Sequence, residues 1–117
     1  MKRVLVAEDN DSNWMLMTYV LKKSYEPVRA INGEEAVKKA LTGDYALVIM
    51  DLKMPVLDGL EATRQIKAAM PDLPVIALTA NAFDSDRQAA FEAGCDNFMS
   101  KPVSAETCLK MIASYVG

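Results

Sequence analysis

Apolar residues in this chain come in short unbroken runs, separated by longer stretches with helical spacing. Val4-Leu5-Val6-Ala7, Leu47-Val48-Ile49-Met50 and Val75-Ile76-Ala77-Leu78 are the three clearest runs. Runs of this length, rich in β-branched residues and bounded by polar positions, predict strands covered on both faces. Pro27-Val28-Arg29-Ala30 and Asn97-Phe98-Met99 predict two weaker strands. Pro27 places its strand at a sheet edge, because proline has no N–H for an inner ladder.

The intervening stretches predict helices. One runs from about Ser12 to Lys23, with Met17, Val20 and Leu21 inward. Asn32 followed by Glu35 is a capping-box-like start. It opens a helix with the stripe Ala36, Val37, Ala40 and Leu41, stopped by Gly43. Asp58 with Glu61 opens a third, carrying Leu60, Thr63 and Ile66 inward and ending at Met70-Pro71. A fourth spans about Asp84 to Ala93 and closes at Gly94. Ser104 caps the last, with Cys108, Leu109, Ile112 and Val116 on one face. Strand and helix alternate five times, which predicts an α/β fold: a doubly wound parallel sheet with helices on both faces. Residues 1–117 are expected to form one domain.

Polar residues at strand ends carry the chemistry. The first strand ends at Glu8-Asp9, the third at Asp51, the fourth at Thr79 and the last at Ser100-Lys101-Pro102. In a parallel α/β sheet the carboxyl ends of all strands share one rim, and ligands bind there. Glu8, Asp9, Asp51, Thr79 and Lys101 are therefore expected to converge. Three carboxylates held together repel one another and raise at least one pKa, a penalty that a divalent cation removes. An all-oxygen set suits Mg²⁺, which favours carboxylates and shared phosphate. A carboxylate nucleophile, a hard cation, an ammonium and a hydroxyl form a set for phosphoryl transfer, which is chiefly positioning and charge neutralisation.

Composition narrows the alternatives. The chain has no histidine, so Ser-His and Cys-His nucleophile pairs and His-ligated zinc are excluded. Its two cysteines, Cys95 and Cys108, have no metal-ligand spacing and are expected to be reduced, partly buried thiols. A net charge of -3 argues against direct nucleic-acid binding. No run approaches the length of a membrane span, and Met1-Lys2-Arg3 leads into a short strand instead of a signal-like apolar stretch. The expected location is cytoplasmic.

The motifs VLVAEDN (4–10), MDLKMPVLDG (50–59), IALTA (76–80) and FMSKP (98–102) occur in the order found in the receiver domains of two-component response regulators, and the chain resembles that family along its whole length. The resemblance implies a flavodoxin-like sheet of strand order 2-1-3-4-5. It implies that Asp51 accepts a phosphoryl group from a phosphohistidine. Asp9 and Asp51 would bind Mg²⁺ (or Mn²⁺) directly, Glu8 through water, and the backbone carbonyl of Lys53 would complete the protein ligands. Lys101 would bind a phosphoryl oxygen before a cis Pro102. Thr79 and Phe98 would form the conformational switch, with Ala80 leaving room for Thr79 to turn inward. The expected partners are a histidine kinase or a histidine phosphotransfer domain, with an output domain or a second copy on the face around Ala82–Ala93 and Phe98–Val116. The AEDN-x-x-N opening and the LTANA run (Leu78–Ala82) resemble receivers of hybrid histidine kinases. Two positions depart from the commonest family pattern: Glu8 stands where Asp is frequent, and Phe98 where Tyr is common.

Other functions fit less well. A phosphatase of the haloacid-dehalogenase type needs a second Asp two residues after the nucleophile, and that position is Lys53. A flavodoxin-like nucleotide binder needs a phosphate-tolerant first loop, whereas AEDNDSN is acidic and lacks glycine. A degenerate receiver serving only as a scaffold would not need Asp9, Asp51, Thr79 and Lys101 together. Lys53 and Asn81 could tune water access. Trp14 is expected to pack near the acids, the eight methionines to fill core gaps, and Lys22-Lys23 and Lys38-Lys39 to sit on solvated helix faces.

Overall fold

A computed structural model describes residues 1–54, 56–80 and 84–116. Asn81, Ala82 and Phe83, which belong to the expected water-access and partner surfaces, lie outside the described residues. Five strands alternate with five helices: β1 (Arg3–Ala7), α1 (Asp11–Leu21), β2 (Glu26–Ala30), α2 (Gly33–Thr42), β3 (Leu47–Asp51), α3 (Gly59–Ala69), β4 (Val75–Thr79), α4 (Asp84–Ala93), β5 (Asn97–Ser100) and α5 (Ala105–Val116). The sheet order is β2-β1-β3-β4-β5 with every neighbouring pair parallel. Pro27 lies on β2, which pairs only with β1, so the edge position follows.

Side chains alternate across each strand, so each apolar run feeds two cores. Leu5, Ala7, Val48, Met50, Val75 and Ala77 face one side, where Ala36, Ala40, Ala62, Ile66 and Ala90 of α2, α3 and α4 cover them. Val4, Val6, Leu47, Ile49, Ile76 and Leu78 face the other, against Met17 and Leu21 of α1 and Cys108 and Ile112 of α5. All five residues of β3 and of β4 are buried. A fully buried Ile or Leu contributes roughly 1.5–3 kcal/mol, so these two strands anchor the rim that follows them.

Several expectations change in detail. Helix α1 starts one residue before Ser12, because Asn10 caps it by accepting from the Asn13 N–H. It ends at Leu21 instead of Lys23, and Lys22 is its C-cap. Leu41 is not a core residue: it is 44% exposed, and the buried stripe of α2 is Gly33, Ala36 and Ala40. The caps Asn32 and Asp58 form as expected, accepting from the N–H groups of Glu35 and Glu61. Among the methionines, Met17, Met50, Met54 and Met99 fill the core, whereas Met1 and Met15 are exposed.

Candidate functional site

Register carries the strand ends to one rim. Ala7 pairs with Met50, Asp51 with Leu78, and Thr79 with Ser100. The residue after each of β1 and β5, Glu8 and Lys101, therefore emerges beside Asp51. Two backbone bonds extend the ladder past the strands, Leu52 N–H to Leu78 O at 3.1 Å and Lys101 N–H to Thr79 O at 2.7 Å. The ladder thus runs on past the strand ends into the rim.

Asp51 is 5% exposed. Its Oδ1 accepts from the Lys53 N–H at 3.1 Å, and its Oδ2 from Lys101 Nζ at 3.0 Å. The same ammonium lies 3.2 Å from Glu8 Oε1. That contact has ion-pair distance without hydrogen-bond geometry, and Glu8 Oε1 is a buried oxygen with no hydrogen-bond partner among the described residues. Glu8 is 1% exposed and holds its main chain to β2 through a 2.9 Å bond from its N–H to Ala30 O. Asp9, the next residue, is exposed. One carboxylate oxygen from each of Glu8, Asp9 and Asp51 lies within 4.8 Å of the others.

Electrostatics follow from this crowding. Burial pushes the Glu8 carboxyl up to about 7, helped by the neighbouring Asp51 carboxylate, while Lys101 pulls the other way. Burial also works against the Lys101 ammonium, but its bond to Asp51 and the charges of Asp51 and Glu8 outweigh this, so its pKa is raised. A divalent cation suits such a set: three carboxylate oxygens converge, and one buried oxygen has no hydrogen-bond partner among the described residues.

Thr79 is 3% exposed at the end of β4, next to Ser100 in register. The Lys101–Pro102 peptide is cis. Phe98 is half-buried on β5, with the Arg87 guanidinium 5.0 Å from its ring centre. The side chain of Lys53 points to solvent. Trp14 is half-buried against the core that α1 covers. Cys95 and Cys108 are free and buried, and burial raises both thiols, Cys108 to about 11, which disfavours the thiolate.

Two neighbours of the site escape the sequence pattern. Strand periodicity treats Arg29 as one residue of an edge strand, yet its Nε–H donates to Glu8 O at 3.0 Å. Lys39 is not simply a solvated lysine: its Nζ reaches Arg29 O at 2.5 Å and Glu35 Oε1 at 3.2 Å. The signal for Arg29 was a basic residue at a strand's carboxyl end, on the acidic rim.

Comparison with known proteins decides the family. The model of the response regulator receiver domain matches residues 4–113. The chain belongs to the response regulator receiver family. The receiver is 36% identical, over 99% of its length and 97% of the relative, to the polar-differentiation response regulator DivK of Brucella anthropi. It is 39% identical to part of hybrid signal transduction histidine kinase G of Dictyostelium discoideum, a match over 97% of this chain that spans only 4% of that protein. Its fold superposes with a TM-score of 0.93 on the receiver domain of sensor histidine kinase PA1611 of Pseudomonas aeruginosa, solved with a magnesium ion in the active site cleft (33% identity; 99% and 98% of the two chains). It superposes at 0.91 on the receiver domain of Saccharomyces cerevisiae Ssk1, solved with the histidine phosphotransfer protein Ypd1 (31% identity; 98% and 88%). The receiver is a phosphorelay signalling switch. Among the described residues, no helix is long and apolar enough to cross a membrane.

Proposed function

We propose that this receiver accepts a phosphoryl group onto Asp51 from a phosphohistidine of a histidine kinase or histidine phosphotransfer domain. The observation that carries this reading is the double contact of Lys101 with Asp51 and Glu8, beside the three converging carboxylates. An Asp51 carboxylate oxygen attacks phosphorus, the P–N bond breaks, and the electron pair returns to the imidazole. Lys101 already binds one Asp51 oxygen, leaving the other to the Lys53 N–H and to the attack. The ammonium then takes a phosphoryl oxygen, where its charge offsets the charge spread over the equatorial oxygens. Carboxylates of Glu8, Asp9 and Asp51 and the carbonyl of Lys53 would hold Mg²⁺, or Mn²⁺ in its place. When bound, the cation neutralises charge on the acids and on the incoming phosphoryl group.

The chain has no histidine, so the donor must be another domain. Turnover here amounts to self-phosphorylation and slow hydrolysis, not conversion of a separate substrate. Docking is supported by an apolar groove of about 310 Å³ beside Lys101, lined by Leu16, Met17, Val20, Pro102 and Val103. Leu16 of α1, which lines it, is half exposed. Ypd1 and the Ssk1 receiver form a complex of the same two kinds of domain. Phosphorylation then biases Thr79 and Phe98 and so changes affinity at the α4-β5-α5 face, for an output domain or a second copy. Residues 1–117 act as one cytoplasmic receiver unit, and the likeness to histidine kinase G supports a hybrid-kinase parent.

The test is transfer from a phosphorylated histidine phosphotransfer domain, followed by the label with and without Mg²⁺. Label appearing on the receiver only with Mg²⁺, and absent from Asp51→Asn, supports the reading. Equal transfer to Asp51→Asn overturns it.

A further inference from the structure

Arg29 makes three contacts that converge on the acidic loop between β1 and α1. Its Nε–H donates to the main-chain oxygen of Glu8 at 3.0 Å. Its Nη1 pairs with Asp11 Oδ1 at 2.9 Å, at the first residue of α1. Its guanidinium carbon lies 5.8 Å from the centre of the Trp14 ring. The side chain is 22% exposed, so most of its surface is spent on these contacts. Arg29 is held from behind as well. Lys39 Nζ bonds the Arg29 carbonyl at 2.5 Å and is itself paired with Glu35. Glu8 is thereby tied to β2 at both ends of its main chain: its N–H reaches Ala30 O, and its C=O takes Arg29.

We infer that Arg29 is a positioning residue for the metal site. It acts through the Glu8 main chain to fix the loop that carries the Glu8 and Asp9 carboxylates. The inference rests on the reading of Glu8, Asp9 and Asp51 as cation ligands. The planar fork matters here: one guanidinium serves the carbonyl, the carboxylate and the indole face at once, which an ammonium cannot do. Fixing a loop that presents two of the three carboxylates lowers the ordering cost of binding.

Two effects of removing Arg29 oppose each other, and this makes the inference testable. Arg29→Ala deletes a cation and leaves Asp11 unpaired, so the neighbourhood becomes more negative. By charge alone, Mg²⁺ would bind more tightly. Asp11 is 86% exposed, so its extra charge is well screened. Loss of an outer partner of a ligand typically weakens metal binding about 10-fold or more. Positioning therefore outweighs charge, and affinity falls.

The experiment is a Mg²⁺ titration of the full chain by calorimetry and by fluorescence of Trp14, the one tryptophan. Wild type, Arg29→Ala and Arg29→Lys are compared, with apo melting temperatures alongside. The expected result is a Kd raised about 10-fold in both variants, and a red-shifted Trp14 emission in the Mg²⁺-free state of Arg29→Ala. Tighter or unchanged binding by Arg29→Ala overturns the inference, and so does full affinity in Arg29→Lys, which would reduce the role to charge. If the wild type binds Mg²⁺ and both variants match it, only the role of Arg29 fails. A wild-type chain that binds no Mg²⁺ overturns the metal site and the inference with it.

Discussion

Lys101 Nζ lies 3.0 Å from Asp51 Oδ2, although the two residues are 50 positions apart in the chain. Parallel pairing of β3 with β4 and of β4 with β5 brings them together, and Thr79 O holds the Lys101 main chain in place. In the proposed reaction, Lys101 would meet a phosphoryl oxygen on Asp51. Replacing it with Ala should slow phosphorylation by a small-molecule phosphodonor by roughly 100-fold, the scale for losing one preorganised charge-stabilising group. Initial rates from intact-mass spectra check this. A rate within a factor of about two of wild type would mean that the ammonium only balances charge in the resting state.

Glu8 predicts how the cation-free protein responds to pH. The unfolded chain releases this proton near 4.5 and the folded chain near 7. Between those values the folded state holds the extra proton, so stability is highest below the window and falls as pH rises through it. Glu8→Gln should flatten the decline, and melting curves in chelator from pH 4.5 to 8 measure it. Because a cation must displace the same proton, stabilisation by Mg²⁺ should grow as pH rises through about 7. A wild-type curve that rises across the window, or one that Glu8→Gln leaves unchanged, contradicts the assignment.

Asp51→Asn removes one of the crowded carboxylates. Near pH 8 without metal, relief of repulsion should exceed the lost bond to Lys101, which retains Glu8 as a partner. The melting temperature should rise by a few degrees, equivalent to about 1 kcal/mol. Adding Mg²⁺ should then stabilise the variant less than the wild type. A marked fall in the cation-free melting temperature would recast Asp51 as a structural acceptor.

Much of this was legible in the sequence, for identifiable reasons. Val48 to Met50 and Val75 to Leu78 are buried on both faces, so their apolar runs are unbroken and their ends stand out. Parallel order then carries Glu8, Asp51, Thr79 and Lys101 to one rim, and strand ends reveal a rim without any side-chain detail. Leu41 was misplaced because the small residues Gly33, Ala36 and Ala40 let α2 pack closely along a narrow stripe, leaving Leu41 beyond it. Arg29 and Lys39 were missed because periodicity tells which way a residue leaves the backbone, not where a long polar side chain ends. The raised Glu8 pKa could be anticipated from three acids in one place; which acid would carry it depended on burial, and Glu8 is buried while Asp9 is exposed.

Gly59 links the sheet to the helix behind Asp51. A Cβ there would stand 2.2 Å from Asp51 O and 2.7 Å from Leu52 Cα, both backbone atoms that cannot rotate aside. Gly59→Ala should cost about 2 kcal/mol through overpacking and should also slow phosphorylation, because the strand that must shift carries Asp51. Denaturant unfolding and the phosphodonor assay read the two effects. A stable variant with normal phosphorylation would show that α3 can back away without disturbing the rim.

The most direct measurement of the central claim is where the phosphoryl group goes. Purified protein is incubated with a small-molecule phosphodonor and Mg²⁺, its intact mass is recorded, and the modified residue is mapped after reductive trapping of the acyl phosphate. The account predicts a gain of one phosphoryl group, dependent on Mg²⁺, mapped to Asp51 and absent from Asp51→Asn. A gain on another residue, or an equal gain on Asp51→Asn, would contradict it.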